Sequence, residues 1–505
     1  MLNTIIQITL TPITRRFDLK PDLLVGIDVG TSSVKALFIT IDGEVIERIE
    51  SKLTTQHRDG NIAEQDANQY WNAVIEIFHK AGELKERVAA IGLSGQTPSV
   101  VCITETGEPT YPVLIWQDAR ATAEAAELAN HFGNPVPIVG TSLPWAASAC
   151  AAKLFWLARH EPEVVANTRW VLQPKDFIGV KLTGRAISDP WSSKGLCNVL
   201  TKAPIAEVFD FVGWNKAVTP ELLDGTASRG RLTDAARSQL GLTNEAIEVA
   251  VGMSDAMCGM LSIGALTEPQ AFIITGTSAI VGISTKAQIA DAEGLYVIPE
   301  TCSPLTVVYG PTQSSGASVD WVAKLFEVSI NDVMDEAQQA DLAKTPIYLP
   351  YISGERAPIW RTDIRGSFNL VDSAATRKEF FAATLHGISL AERSVLAAAA
   401  DKLTTTFSEV TLGGHAGNDH RWDAIRLRTL GKRLIRKTDI DSTTRGSAML
   451  ALVLLTGSVL DSVQALAPTS EISTPNGADI DYADKNYESF TELRDLTLKL
   501  IDNRN

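Results

Sequence analysis

The chain has 505 residues, 45% of them hydrophobic and 21% charged, which is enough for two domains of about 250 residues with separate cores. Its 60 acidic and 45 basic side chains give a formal charge of -15, which repels nucleic acid. No apolar run reaches the roughly 20 residues of a membrane-spanning helix. The five cysteines are scattered without a Cys-x-x-Cys pair, which favours a reducing compartment. We therefore expect a cytoplasmic protein with neither nucleic-acid nor membrane partners.

The first elements of the chain read as an antiparallel meander followed by a helix and a buried strand. Residues 1–22 are predicted to be an extension outside the fold. From Leu23 to Glu47 the pattern predicts strand, Gly30-Thr31-Ser32 turn, strand, a hairpin at Asp42-Gly43 and a third strand. Apolar residues at helical spacing from 71 to 78 predict a helix, which leads into a strand ending at Ser94-Gly95-Gln96.

Two loops in this first part are candidate site loops. Ligands of α/β sheets commonly bind where strands end, so the loops 94–99 and 116–120 are candidates, although ordinary turn chemistry would explain them as well. Their candidate substrate residues are Gln96, Thr97, Trp116 and Asp118.

The middle of the chain is predicted to be helical over 147–159 and 161–167. The stretch from Val249 to Gly264 then reads as strand, turn and helix, with Asp255 at the helix start, where it could also be only a cap. We place the domain boundary in the Pro-containing link at 266–269, which gives domains over 23–267 and 268–505.

The second half begins with another Gly-Thr-Ser turn between two strands, Gly276-Thr277-Ser278. A long helix is predicted over 378–403, then a strand, Val410 to Leu412, that runs into a glycine-rich turn. A final apolar helix is predicted around 447–455. Strand, glycine-rich turn and helix favour a nucleotide pocket, although such turns also close ordinary α/β units.

The two Gly-Thr-Ser turns are candidate phosphate sites. The chain has neither a P-loop nor a dinucleotide fingerprint, so phosphate binding would have to come from another feature. In such a turn glycine lets the backbone approach an oxygen, and successive N–H groups with the hydroxyls form an anion nest. Asp28 precedes the first turn and fits a Mg²⁺ anchor, direct or through water. One such turn alone would more simply be a β-turn; the pair favours phosphate.

In their order along the chain, these motifs resemble the FGGY family of carbohydrate kinases, within the actin-like ATPase fold shared with hexokinases and the 70-kDa heat-shock chaperones. The resemblance spans Leu23 to Gly457. Its marks are Gly26-Ile27-Asp28-Val29-Gly30-Thr31-Ser32, Glu64-Gln65-Asp66, Gly92-Leu93-Ser94-Gly95-Gln96, Trp116-Gln117-Asp118, Gly252-Met253-Ser254-Asp255, Thr275-Gly276-Thr277-Ser278, Pro350-Tyr351-Ile352-Ser353-Gly354-Glu355-Arg356-Ala357-Pro358 and Gly413-Gly414.

The resemblance implies an α/β fold of two ribonuclease H-like (actin-like ATPase) domains that flank a cleft for nucleotide and substrate. It implies an enzyme that uses ATP and Mg²⁺ to phosphorylate a small sugar or polyol. Asp255 would be the catalytic base and contact the substrate, and Asp28 would be the metal-linked aspartate. The remaining implied ligand residues are Gly30, Thr31, Ser32, Gly276 and Thr277 at the phosphates, and Gly413, Gly414 and Asn418 at the adenosine.

The sequence departs from the family pattern in the acceptor loop. Thr97-Pro98 stands where glycerol kinases of the family carry Arg-Glu and many xylulose kinases Met-His, which disfavours glycerol and leaves xylulose open. Met253-Ser254 replaces a common Gly-Gly before the catalytic aspartate, and these side chains would narrow the pocket. The sugar, the hydroxyl attacked and the oligomeric state, a homodimer included, stay open.

Two other functions share part of this pattern. An actin-like switch that uses ATP to change shape would need both Gly-Thr-Ser turns, but it leaves the loops at 64–66 and 116–118 and Asp255 without a role. A kinase-derived sugar sensor without activity is suggested by Thr97-Pro98.

Overall fold

A computed structural model describes residues 21–58, 61–313, 315–414, 419–438 and 441–503. The predicted extension, apart from its last two residues, and Asn418 lie outside the described residues. Within the described ranges, no helix has the length and apolar character needed to cross a bilayer.

The first half, up to Ser262, holds a large sheet and several small ones. Its strands are β1 (Leu23–Val29), β2 (Ser33–Thr40), β3 (Val45–Lys52), β4 (Gln56–Arg58), β5 (Ile62–Gln65), β6 (Val88–Gly95), β7 (Val101–Ile103), β8 (Val113–Leu114), β9 (Trp170–Leu172), β10 (Ile187–Ser188), β11 (Cys197–Asn198), β12 (Ala203–Pro204), β13 (Glu221–Leu222), β14 (Ser228–Arg231), β15 (Glu248–Ala250) and β16 (Met253–Ser254). Its helices are α1 (Ala67–Lys80), α2 (Thr122–Phe132), α3 (Val136–Val139), α4 (Cys150–His160), α5 (Pro162–Asn167), α6 (Pro174–Thr183), α7 (Ala206–Val212), α8 (Asp234–Leu240) and α9 (Asp255–Ser262).

The second half, from Ala271 on, holds the other large sheet. Its strands are β17 (Ala271–Thr275), β18 (Ala279–Thr285), β19 (Tyr296–Ile298), β20 (Thr306–Pro311), β21 (Ile347–Leu349), β22 (Ser367–Asn369), β23 (Glu409–Gly413), β24 (Arg433–Lys437) and β25 (Ser470–Ser473). Its helices are α10 (Gly316–Leu325), α11 (Ile330–Ala337), α12 (Arg377–Lys402), α13 (His420–Leu430), α14 (Ser442–Thr456), α15 (Val459–Leu466) and α16 (Gly477–Asp502).

The two large sheets repeat one topology. In the first, the order β3-β2-β1-β6-β15 joins an antiparallel meander to two parallel strands, and β14 extends it. In the second, β20-β18-β17-β23-β24 has the same order and directions, and β19 and β25 extend it at its two edges. The predicted fold of two actin-like α/β domains is therefore confirmed.

Helices α9 and α14 join the two halves. They share a buried cluster with residues of β1 and β2 in the first sheet and of β17 and β20 in the second, including Leu24, Phe272 and Tyr309. Helix α14 belongs to the second half of the chain, yet it packs on β1 and β6 of the first sheet. Its contact with β6 is so close that a Cβ added to Gly92 would lie 1.8 Å from the carbonyl oxygen of Ser447.

Because β6 and α14 lie so close together, one methyl group added at Gly92 should destabilise the protein strongly. The atom it would meet is backbone inside a helix, so no side-chain rotation relieves the clash, and we expect Gly92→Ala to lower the free energy of unfolding by about 3 kcal/mol. Thermal denaturation of the two proteins measures the loss. Gly477→Ala is the control, because a Cβ there meets nothing within 4 Å; equal melting temperatures for all three proteins would contradict this packing.

The end of the chain differs from the sequence-based prediction. The helix predicted around 447–455 is α14, but it is not the final one, since α15 and the long α16 follow it. Helix α16 was missed because its sequence is polar, and only Ala483 and Phe490 are buried along it. It packs against α13 and α12 on the outside of the second half.

Candidate active site

Strand register brings two aspartates to one edge of the first sheet. Parallel pairing of β1 with β6 sets Asp28 beside Ser94, and β16 pairs with the end of β6, where Ser254 lies opposite Gly95. Asp255 follows directly as the first residue of α9. The cap of this helix is Ser254, whose hydroxyl accepts from the Met257 N–H, so Asp255 is not needed as a cap.

The carboxyl group of Asp28 lies within the electrostatic field of Asp255. Burial, together with the charges of Asp255 and Asp441, raises the pKa of Asp28 to about 7, while the hydroxyl of Ser94 and the charge of Lys35 act in the opposite direction. Burial also raises the pKa of Asp255 to about 6, against the Ala256 N–H, which donates to Oδ1 at 2.7 Å, and the ammonium of Lys194. A carboxylate with such a pKa accepts a proton readily near neutral pH.

The first Gly-Thr-Ser turn offers free backbone donors at the same edge. The Gly30 N–H donates to the carbonyl of Ser33 at 3.1 Å and closes the turn. The N–H groups of Thr31 and Ser32 have no acceptor among the described residues, and Ser32 is exposed. Adjacent free amides and an exposed hydroxyl can together bind an anion, as in an anion nest.

Side chains from three separate parts of the chain fix this turn. Gln96 Nε2 donates to the Gly30 carbonyl at 3.2 Å, and Gln65 Nε2 donates to the Thr31 carbonyl at 2.7 Å. The indole of Trp116 donates to Thr31 Oγ1 at 2.9 Å. Gln96 and Trp116, two of the predicted substrate residues, therefore hold the turn in place. Gln65 and Trp116 come from the motifs 64–66 and 116–118, so these motifs contact the first turn.

The second turn has the same construction in the second sheet. The Gly276 N–H donates to the Ser278 carbonyl at 2.7 Å, and the N–H groups of Thr277 and Ser278 have no acceptor within the described ranges. The start of α10 supports the turn, since the Ser315 N–H donates to the Thr277 carbonyl at 3.1 Å and the Gly316 N–H to the Gly276 carbonyl at 3.1 Å. Thr277 is exposed.

The glycine pair at the end of β23 lies next to this second turn. Parallel pairing of β17 with β23 sets Gly413 beside Ile274. Gly414 has a φ of +87°, and a Cβ on it would lie 2.4 Å from the Thr275 carbonyl oxygen. Both the conformation and the space therefore require glycine there.

Family models match both halves of the chain. The N-terminal domain of the FGGY family of carbohydrate kinases matches residues 23–262, and its C-terminal domain matches residues 271–455. The chain belongs to the FGGY family of carbohydrate kinases. It is thus a kinase that uses ATP to phosphorylate a small sugar, and neither family model favours the switch or the inactive sensor.

Relatives and solved structures of this carbohydrate kinase agree with that assignment. The xylulose kinase of Escherichia coli K12 is 27% identical over 85% of this chain and 90% of its own length, and that of Lactococcus lactis is 26% identical over 85% and 87%. The crystal structure of a xyloylose kinase from Brucella ovis has a TM-score of 0.87 at 26% identity, and it covers 95% of this chain and 100% of the other. A gluconate kinase from Lactobacillus acidophilus shares the fold at 21% identity and a TM-score of 0.85, covering 94% and 98%.

Asp118 of this kinase lies in a buried ion-pair cluster. Its carboxylate accepts from the Ala63 N–H at 2.8 Å and from the guanidinium of Arg120 at 2.7 Å. Arg120 also pairs with Glu64 at 2.7 Å. These contacts occupy Asp118 within the protein, so in this structure it supports the loop that carries Trp116.

A buried lysine that sequence reasoning missed supports the acceptor loop of the kinase. Lys153 is fully buried, and its ammonium donates to the carbonyls of Pro98 at 3.0 Å, Leu114 at 3.3 Å and Ile115 at 2.8 Å. Burial lowers its pKa to about 8. It thereby ties the loop after Thr97 to the loop before Trp116. The signal in the sequence is a single lysine inside the apolar stretch of α4.

A second missed lysine lies near the catalytic candidate. Lys194 is 8% exposed and donates to the Trp191 carbonyl at 3.2 Å, with its ammonium 5.1 Å from the centre of the Trp191 ring. Burial lowers its pKa, while the charges of Asp189 and Asp255 act in the opposite direction. Trp191 itself is buried, and its ring centre lies 6.4 Å from that of Tyr309, so it belongs to the core.

Proposed function

We propose that this kinase transfers the γ-phosphoryl group of ATP to a hydroxyl of a ketopentose of the xylulose type, with Asp255 as the general base. The observation that carries the proposal is the strand register that sets Asp28 and Asp255 at one sheet edge, next to the first turn. The xylulose kinases among its relatives favour this acceptor. The shared fold alone would not, because a gluconate kinase has it too.

The proposed reaction is a direct displacement at phosphorus. The sugar oxygen attacks the γ-phosphorus as the bond between that phosphorus and the β–γ bridging oxygen breaks, and ADP leaves. The hydroxyl proton passes to Asp255, whose Oδ1 is occupied by the Ala256 N–H while no hydrogen bond within the described residues involves Oδ2. General-base assistance of this kind typically contributes about 10²–10⁴ in rate.

The two turns are proposed to hold the phosphates from opposite domains. Gly30, Thr31 and Ser32 would bind the transferred group on the sugar side, and Gly276 and Thr277 on the nucleotide side. Preorganised donors stabilise the charge that develops on the phosphoryl oxygens, at about 3 kcal/mol for each good donor. Gly413 and Gly414, with Asn418, are proposed to border the adenosine.

Mg²⁺ is proposed to bind with the phosphates near Asp28. Within the described residues no cluster of three His, Cys, Asp or Glu side chains could hold a metal alone. Mg²⁺ fits nonetheless, because it commonly keeps several waters and binds through one or two carboxylates plus substrate phosphates. One oxygen of Asp28 accepts from Ser94 at 3.0 Å, which orients the carboxyl group. When bound, the ion would neutralise phosphate charge.

The acceptor pocket is proposed to lie between Asp255 and the loop of Gln96 and Thr97, with Trp116 at its side. Closure of the two domains, 23–267 and 268–505, would exclude water from the transferred group. We place the enzyme in the cytoplasm, where ATP is available.

A screen of acceptors tests the proposed function. Coupled ADP release is measured with C3 to C6 ketoses, aldoses and polyols, including glycerol and gluconate. We expect D-xylulose to give the highest kcat/KM and glycerol no increase over the rate without sugar. Highest kcat/KM with an aldonate or a polyol would reject the ketopentose, and no increase with any acceptor would reject the kinase reaction itself.

A further inference from the structure

The segment from Glu355 to Ala357 is fastened to the stretch that follows β20. The Arg356 guanidinium donates to the Thr312 carbonyl at 2.5 Å, and the Ala357 N–H donates to the Pro311 carbonyl at 3.1 Å. Glu355 Oε1 accepts from the backbone N–H groups of Gln313 and Arg356. Three hydrogen bonds thus connect the segment to this stretch, and a fourth, from the Arg356 N–H to Glu355, lies within the segment.

The same stretch supports the second Gly-Thr-Ser turn. The Ala279 N–H, just after the turn, donates to Thr312 Oγ1 at 3.0 Å, and the Thr312 N–H donates back to the Ala279 carbonyl at 2.9 Å. Ser315 then donates to the Thr277 carbonyl. A displacement of Arg356 would therefore also displace Thr277.

On its other side Arg356 reaches the first half of the molecule. Its guanidinium carbon lies 6.0 Å from the centre of the Trp116 ring, which is within the range of cation–π attraction. Trp116 in turn donates to Thr31 in the first turn. A continuous series of contacts therefore connects Thr31, Trp116, Arg356, Thr312 and the second turn.

One edge of the Arg356 guanidinium is left without a hydrogen-bond partner among the described residues. This edge carries Nε, a buried donor, while the charge of Glu355 lies nearby. Burial lowers the pKa of the Arg356 guanidinium, and the charges of Tyr296 and Glu355 oppose this lowering. A purely structural arginine would be expected to satisfy this donor, since a buried donor without a partner is costly.

We propose that Arg356 is a positioning residue that couples the two phosphate turns across the cleft. The inference rests on the proposed function, since it assigns the arginine to the transfer step of that site. Its role is to set the distance between the turns when both substrates are bound, so that the γ-phosphoryl group meets the sugar hydroxyl. Nucleotide binding alone does not require it.

The test compares Arg356→Met, Arg356→Lys and Trp116→Phe, singly and as the pair Arg356→Met with Trp116→Phe. Each protein is assayed for kcat and for the KM of ATP and of the best acceptor. The ADP that is released without formation of sugar phosphate is measured as well. Arg361→Met is the matched control, because that half-buried arginine, five positions further along the chain, pairs with Asp363 and Asp502. Melting temperatures with and without ADP check folding and nucleotide binding.

We expect Arg356→Met to lower kcat by about 100-fold, the loss typical of a misplaced reacting group, with KM of ATP within about two-fold of the parent. The Lys variant should recover part of kcat, and Arg361→Met should match the parent. The double variant should lose no more than the worse single one, because both break the same series of contacts. The proposal would be overturned if the losses of the two single variants multiplied in the double variant. It would also be overturned if Arg356→Met left kcat unchanged or raised only the KM of ATP. An inactive parent would instead reject the proposed function.

Discussion

Asp255→Asn should lower sugar-dependent kcat/KM by about 10²–10⁴, because the amide cannot take the proton of the attacking hydroxyl. The substitution preserves the size of the side chain, and an amide oxygen can still accept from the Ala256 N–H. Nucleotide binding should therefore survive, which the shift in melting temperature on adding ADP measures.

Asp234→Asn is the matched control for that substitution. Asp234 is the first residue of α8, as Asp255 is of α9, but its side chain is 94% exposed and pairs with Arg237 at 2.6 Å. We expect this variant to keep the parent activity. If Asp255→Asn kept more than about a tenth of the parent kcat/KM, its role as general base would be rejected.

Asp28→Asn should separate activity from stability. Burial raises the pKa of Asp28 from 3.8 to about 7, so the folded protein holds this proton more tightly than the unfolded chain does. Ionisation of Asp28 therefore opposes folding, and the stability lost grows as pH rises from 3.8 and levels off above about 7. Asparagine does not ionise, so the variant should gain up to about 4 kcal/mol in the free energy of unfolding at pH 8 and little near pH 4.

The same substitution should remove most kinase activity, since the proposed Mg²⁺ site loses its carboxylate. Denaturant unfolding at several pH values, without nucleotide, measures the stability. Asp118→Asn is the opposing control: its carboxylate pairs with Arg120 in the interior, so we expect a loss of about 3–5 kcal/mol. A stability gain for Asp28→Asn that did not fall toward acid pH would contradict a buried carboxyl group with a raised pKa.

The sequence predicts those parts of the site that depend on local pattern. Strand, turn and strand around Gly30 and Gly276 are encoded in apolar runs broken by Gly-Thr-Ser, and the parallel strand after α1 follows from helix and strand periodicity. The register that sets Asp28 near Asp255 then follows from parallel strands ending at one edge. The site roles of these residues stay predictions.

What the sequence does not predict depends on contacts between distant residues. Trp116 and Arg356 lie 240 positions apart, and nothing in either motif indicates that they meet. The pairing of Asp118 with Arg120 involves loop geometry that no periodicity encodes. Helix α16 lacks a clear apolar face, because it lies against the outside of the second half and buries few side chains.

The most direct test of the account is the phosphorus balance of the reaction. The enzyme is incubated with ATP, Mg²⁺ and D-xylulose, and the products are followed by ³¹P NMR. We expect one sugar phosphate monoester for each ADP formed, and no ester with Asp255→Asn. ADP matched by inorganic phosphate, with no ester formed from any acceptor in the screen, would contradict it.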